Sequence, residues 1–257
     1  MNLEKTQFSI TIRSMTTVRP KGVYACLALL LAVVPAFASE HGSVQRDGFA
    51  LHYTSEGTGK PIVFLSGGPG RNVDYFVPAA KYFPPGYKFI FLEQRGTGRS
   101  QPARTNAETI SLKLVVEDLE ALRSHLRVKR FILAGHSWGG MLAMAYAATH
   151  PDGIDSMILI DSGGPTLEFR KWKEDNIATR LRPGESGVNA EFFDRTNVPA
   201  FLAVIGDKYE ATSKLLNDDL KKHYDVRDGI KRLKRPVLIV HGHQDPMATR
   251  RPKTSTT

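Results

Sequence analysis

Phe131-Ile132-Leu133-Ala134-Gly135-His136-Ser137-Trp138-Gly139-Gly140-Met141-Leu142-Ala143-Met144 is the stretch that decides how this 257-residue chain folds. Phe131 to Ala134 is apolar without alternation, as in a strand buried on both faces. Met141 to Ala148 is apolar nearly all round, as in a helix lying directly on a sheet. Between them, glycines flanking Ser137 permit a sharp, strained corner that lifts the hydroxyl out at the carboxyl edge of the sheet. Strand, G-x-S-x-G and helix in that order is the setting of an acyl-transfer nucleophile. Amides at the start of the helix face the place where negative charge would develop, and Trp138 would supply one oxyanion N–H. His136 reads as a packed corner residue rather than a base, because it points away from its neighbour on a tight turn.

Working outward, short β-rich runs alternate with helical patterns, so the fold class is α/β, a mostly parallel sheet with covering helices. The expected strands are Ala50–Thr54, Ile62–Leu65, Lys88–Leu92, Phe131–Ala134, Met157–Ile160 and Val237–Val240. Leu112, Val115, Val116, Leu119, Leu122 and Leu126 recur at helical spacing, with Ser111 placed to cap and Glu117, Asp118 and Glu120 on the wet face. From about residue 164 to 230 charges multiply and Trp172, Phe192, Phe193 and Phe201 are scattered, which describes an inserted helical cap. Residues 39–163 and 231–257 then form the two parts of the core.

The first 38 residues read as a signal peptide: Arg13, Arg19 and Lys21 precede an apolar run, Val23 to Val34, that closes on Ala36-Phe37-Ala38. Export to the periplasm or medium follows, with no membrane attachment after cleavage. Met15 is a candidate start that would shorten this leader to standard layout. The single cysteine, Cys26, leaves with it, which excludes disulfides, thiolate metal sites and a cysteine nucleophile from the mature chain. The chain carries a formal charge of +9, but no basic stripe is interleaved with aromatics, so nucleic acid is not an expected partner. No cofactor or metal motif is present.

Leu65-Ser66-Gly67-Gly68-Pro69-Gly70 follows the strand Ile62–Leu65, and its glycines would bring backbone close to an acyl oxygen; Gly67 N–H is the expected second oxyanion donor. With Glu93-Gln94-Arg95-Gly96-Thr97-Gly98-Arg99-Ser100 and Gly135 to Gly140, this loop carries a resemblance to the α/β-hydrolase superfamily, and within it to proline iminopeptidase-like serine peptidases, over about residues 48 to 247. The resemblance implies an acyl-enzyme hydrolase that removes an N-terminal residue, often proline, from short peptides. Two positions depart from the family pattern: Ser66 stands where a histidine is usual, and Glu93 where an aspartate is usual. Related esterases and amide hydrolases share the loop chemistry, so a small peptide, amide or ester is the expected partner. A peptidase would need a cap carboxylate for the substrate amine, and Glu168, Glu174 and Glu191 are all available.

A triad runs in the chain order serine, acid, histidine. Val237–Val240 followed by His241-Gly242-His243-Gln244-Asp245-Pro246 places Asp245 at the acid position of the resembled family. All eight histidines precede Asp245, and His243 is too near it on one short loop to bridge to Ser137. The expectation is therefore a chain that closes before its final strand, covering helix and triad histidine, so that a catalytically crippled chain, a non-catalytic remnant or binding protein, stands as the alternative to a peptidase or esterase. The stretch from Ala248 to Thr257 has no apolar periodicity, which a one-base frameshift after Met247 would explain. Inserting a G lets permitted codons read Gly-Asp-Ala-Thr-Ala-Lys-Asp-Ile-His-Asp, like the helix start of these hydrolases. Sequencing the gene across codon 248 tests this, and an intact frame in independent reads would refute it. Without a further strand, Val237–Val240 is expected to be an exposed apolar edge.

Overall fold

The computed structural model describes residues 39–242 together with 245 and 246. Residues 1–38, read above as a signal peptide and including Cys26, lie outside the described residues, as do His243 and the expected frame break after Met247.

Seven strands form one sheet: β1 (Glu40–Arg46), β2 (Phe49–Gly57), β3 (Lys60–Leu65), β4 (Tyr87–Leu92), β5 (Phe131–His136), β6 (Ile154–Ile160) and β7 (Val237–Val240). Their order is β1-β2-β4-β3-β5-β6-β7, antiparallel at β1–β2 and β2–β4 and parallel elsewhere. The first strand, Glu-His-Gly-Ser-Val-Gln-Arg, was not among the expected strands. It is a polar edge whose pairing with β2 through a short turn supplies what its own composition does not.

Seven α-helices follow the order α1 (Leu112–His125), α2 (Trp138–Thr149), α3 (Phe169–Arg180), α4 (Gly187–Glu191), α5 (Val198–Val204), α6 (Glu210–His223) and α7 (Arg227–Arg232) among the described residues. The extended Ser111 opens α1 as expected, its hydroxyl accepting the Leu114 N–H. The apolar stripe of α1 is buried, but Asp118, expected on the wet face, is buried with it. Its carboxylate takes two bonds of 2.7 Å from the buried Arg95 guanidinium and one of 2.8 Å from Arg46. A helical period cannot distinguish a solvated carboxylate from one that meets a buried arginine brought from another loop. Arg95 also lies over the Phe49 ring, so residues 93–100 are bolted to α1 and β2.

Successive residues of β3 and β5 feed opposite cores, as their unbroken apolar runs require. Val63, Leu65 and Leu133 join α1 and α2 on one face, whereas Ile62, Phe64, Ile132 and Ala134 meet Val73, Phe76 and Phe91 on the other. The segment expected to be a cap divides in its packing. Leu216, Leu220 and Tyr224 from α6 and its end enter the main core, and Gly229 of α7 sits against Ala148 of α2, while α3 and α5 stand largely exposed. At the far edge, Val237, Leu238, Ile239 and Val240 are 42 to 69% exposed, and among the described residues nothing pairs with the outer side of β7.

The topology also decides where loops meet. From β3 the chain steps outward to β4, then returns past β3 to β5, so the loops leaving β3 and β5 diverge and open a crevice at the carboxyl edge. Leu65 and Gly135 are register partners, which sets residues 66–70 beside the corner at Ser137.

Candidate active site

Ser137 has φ 52° and ψ −113°, outside the wells an L-residue normally occupies, at a cost on the order of 1–3 kcal/mol. The corner is over-determined by its surroundings. Ser137 N–H donates to Ile160 O at 2.9 Å, and its carbonyl accepts from Gly140 and Met141 of the first turn of α2. A Cβ on Gly139 would strike Leu65 O, and one on Gly135 would strike the Gly139 backbone, so the two glycines are required for strand β3, strand β5 and helix α2 to close on one another.

A cavity of about 500 Å³ opens here, lined by Gly67, Gly68, His136, Ser137, Asp161 and Asp245 and walled by side chains from residues 173 to 208. That volume suits a small ligand. A larger groove of about 980 Å³ between α1, α2 and α7 includes none of these loops.

The expected oxyanion donors separate. Trp138 N–H, at the start of α2, has no acceptor among the described residues and faces the favourable end of the helix dipole. Gly67 N–H, by contrast, donates to the Tyr75 hydroxyl at 2.6 Å, and that hydroxyl shares a 2.9 Å hydrogen bond with His136 Nδ1. Its partner arrives from eight residues downstream, where no sequence signal announces it. On the same loop the Gly68 amide, at φ 47°, has no acceptor among the described residues. Burial pushes the Tyr75 hydroxyl well above its ordinary range and holds His136 below its own, so both are neutral near pH 7. His136 is packed as expected, with its Nδ1 committed to Tyr75.

One hydrogen-bond chain joins the three sequence motifs. Trp138 Nε1 donates to Gln94 Oε1 at 2.9 Å, Gln94 Nε2 donates to Ser66 Oγ at 2.9 Å, and Ser66 Oγ donates to Arg71 O at 2.8 Å. Trp138, Gln94 and Ser66 are all buried. Ser66 thereby has a structural task, spanning the 93–100 loop and the glycine loop. Glu93 is likewise occupied, accepting from the Arg99 amide and guanidinium.

Asp245 lines the cavity, its N–H donating to Gly242 O at 2.9 Å. The nearest described histidine is His241, whose Nε2 is 3.8 Å from Asp245 Oδ1 and whose Nδ1 is 3.6 Å from Asp161 Oδ1. Asp161, at φ 39° after β6, accepts the Gly242 N–H at 2.8 Å. Sequence reading did not single it out, because only the β6–β7 pairing brings it to Asp245. These three side chains place ligating atoms within 4.8 Å of one another. Among the described residues no histidine is hydrogen-bonded to Ser137. Of the three cap carboxylates, only Glu191 lines the cavity, and it is paired with Lys173 at 2.6 Å; Glu168 lies beside Arg227 instead.

The sheet order, the strained serine corner and the paired loops are those of an alpha/beta hydrolase fold, and the chain belongs to that family, which it matches over residues 60–197. Two curated relatives are a probable proline iminopeptidase of Leptolyngbya boryana, 42% identical over 113 residues, and a proline iminopeptidase of Arabidopsis thaliana, 35% identical over 134. Those alignments cover 42% and 51% of this chain but only 34% of each relative, so the chain spans about a third of their length. Among solved structures, the proline iminopeptidase of Mycobacterium smegmatis superposes with a TM-score of 0.61 at 21% identity, covering 81% of this chain and 83% of that one, which is a likeness of fold.

Proposed function

We propose that this chain is a serine hydrolase of the proline iminopeptidase-like type, which releases N-terminal residues from short peptides through an acyl-enzyme on Ser137. The reading is carried by one observation: a strained serine corner at the start of a buried helix, opening on a cavity beside a glycine loop. Ser137 Oγ attacks the scissile carbonyl carbon, and its proton passes to solvent water. The Trp138 and Gly68 amides receive the oxyanion, Gly68 taking the role expected of Gly67 because the Gly67 N–H is bonded to Tyr75. The bond to the leaving group then breaks as that group takes up a proton from water, and a water molecule hydrolyses the acyl-enzyme, giving the free acid and restoring the Ser137 hydroxyl. Asp245 is the acid of the proposed triad. Since no described histidine is hydrogen-bonded to Ser137, activated esters should acylate it far faster than amides are turned over.

A second reading, an esterase or amide hydrolase of small substrates, is favoured by the Lys173–Glu191 pair. That pair neutralises the one cap carboxylate in the cavity that could hold a free amine. Proline and alanine p-nitroanilides, measured against p-nitrophenyl esters on the chain and on Ser137→Ala, separate the two. Aminoacyl amide turnover lost in the variant supports the first and ester turnover alone the second. Failure of a fluorophosphonate to label Ser137 would refute both.

A further inference from the structure

The cavity holds three cations, and two of them have carboxylate partners: Lys173 with Glu191 at 2.6 Å, and Lys208 with Glu210 at 2.8 Å. The third is Arg71, half-buried directly after the glycine loop, with no carboxylate in salt-bridge range among the described residues. Its position is held from three sides. The Arg71 carbonyl accepts from Ser66 Oγ, its backbone pairs with Lys208 in an isolated antiparallel bridge, and Tyr209 N–H donates to Gly70 O at 2.7 Å. Its side-chain stem passes alongside Gly68, and Nη1 donates to Gly206 O at 3.0 Å. That single bond orients the guanidinium and leaves donors in a planar fork at the cavity wall. A planar fork is matched by a carboxylate, which takes two parallel N–H bonds where a lysine offers one point charge.

We infer that Arg71 is a specificity-determining residue that binds a substrate carboxylate at the mouth of the Ser137 cavity. This rests on the Ser137 reading above. The carboxylate has two sources, the acyl chain of a dicarboxylic acid derivative or the free carboxyl group of the leaving group, as in a dipeptide.

The test uses the full chain and reads Ser137 acylation by mass spectrometry under single-turnover conditions. One arm compares p-nitrophenyl hemiglutarate with p-nitrophenyl butyrate. The other compares butyrate esters of 3-hydroxybenzoic acid and 3-hydroxybenzamide. The carboxylate-bearing member of one pair should react at least about tenfold faster, with the preference shrinking at high salt. Arg71→Ala should abolish that ratio, while Arg71→Lys keeps a fraction of it. Arg71→Gln, which retains a donor for Gly206 O, guards against loss of fold and should also lose the ratio. Preference in the first arm assigns the carboxylate to the acyl side, and in the second to the leaving group. Labelling of Ser137 by fluorophosphonate with no preference in either arm, or a preference that survives Arg71→Ala, overturns the inference and leaves the hydrolase reading standing. Absence of labelling by every reagent removes that reading, and the inference with it.

Discussion

Replacing Gln94 with leucine should loosen the nucleophile corner without touching it. Gln94 is 4% exposed and satisfies three buried groups: Trp138 Nε1–H through its oxygen, and Ser66 O and Oγ through its nitrogen. Leucine is close in size, so no cavity term arises, and the cost is that of orphaned polar groups. The indole N–H, with Trp138 only 2% exposed, loses its acceptor outright, at about 1–3 kcal/mol. Ser66 Oγ still donates to Arg71 O, so its loss of a donor adds about 1 kcal/mol. The sum, roughly 2–4 kcal/mol, corresponds to a Tm lower by about 4–16 °C for a domain of this size. Urea unfolding should show a lower midpoint with m unchanged. Ser137 labelling by fluorophosphonate should slow by about tenfold, because the glycine loop and the serine corner lose their common tie. Gln94→Leu combined with Trp138→Phe removes donor and acceptor together and should cost less than the sum of the two by about 1 kcal/mol or more. A Gln94→Leu shift under about 0.5 kcal/mol, or strict additivity in the double variant, would refute the reasoning.

Three further outcomes follow from particular contacts. Asp118→Ala leaves the Arg95 guanidinium, 1% exposed, with Asp47 as its one remaining carboxylate partner among the described residues, and should lower stability by about 3–5 kcal/mol in urea titrations; Arg95→Met with Asp118→Leu should recover most of it. Glu120 is held at about 2 by the Arg123 guanidinium, below its ordinary 4.5, so its contribution is present above pH 4.5 and is lost as pH falls toward 2. Acid titration of stability should therefore be shallower in Glu120→Gln than in the parent over that window, and parallel curves would contradict it. The exposed apolar β7 edge should give concentration-dependent association by light scattering, reduced in Ile239→Lys, and monodisperse parent protein at all concentrations would count against it.

What could be read from the sequence was whatever depends on neighbours a few residues away. The unbroken runs at Ile62–Leu65 and Phe131–Ala134 announced strands with two buried faces, and the glycines at 135 and 139 announced a corner with the serine at its apex. Both follow from chain periodicity and backbone sterics, which need no knowledge of the rest of the molecule. The tertiary structure alone decided which polar groups meet. Trp138 and Gln94 are 44 positions apart, His136 and Tyr75 61, and Arg95 and Asp118 23. Nothing in their local patterns predicts contact, and it was the return of the chain past β3 to β5 that set their loops side by side. For the same reason the glycine loop pointed to the Gly67 amide as an oxyanion donor, with nothing in the local pattern to show that the Tyr75 hydroxyl accepts it. Asp118 likewise fitted a wet helical face until Arg95 was folded beneath it, because a hydrogen-bond partner is a property of position in space, and sequence spacing encodes that only within an element.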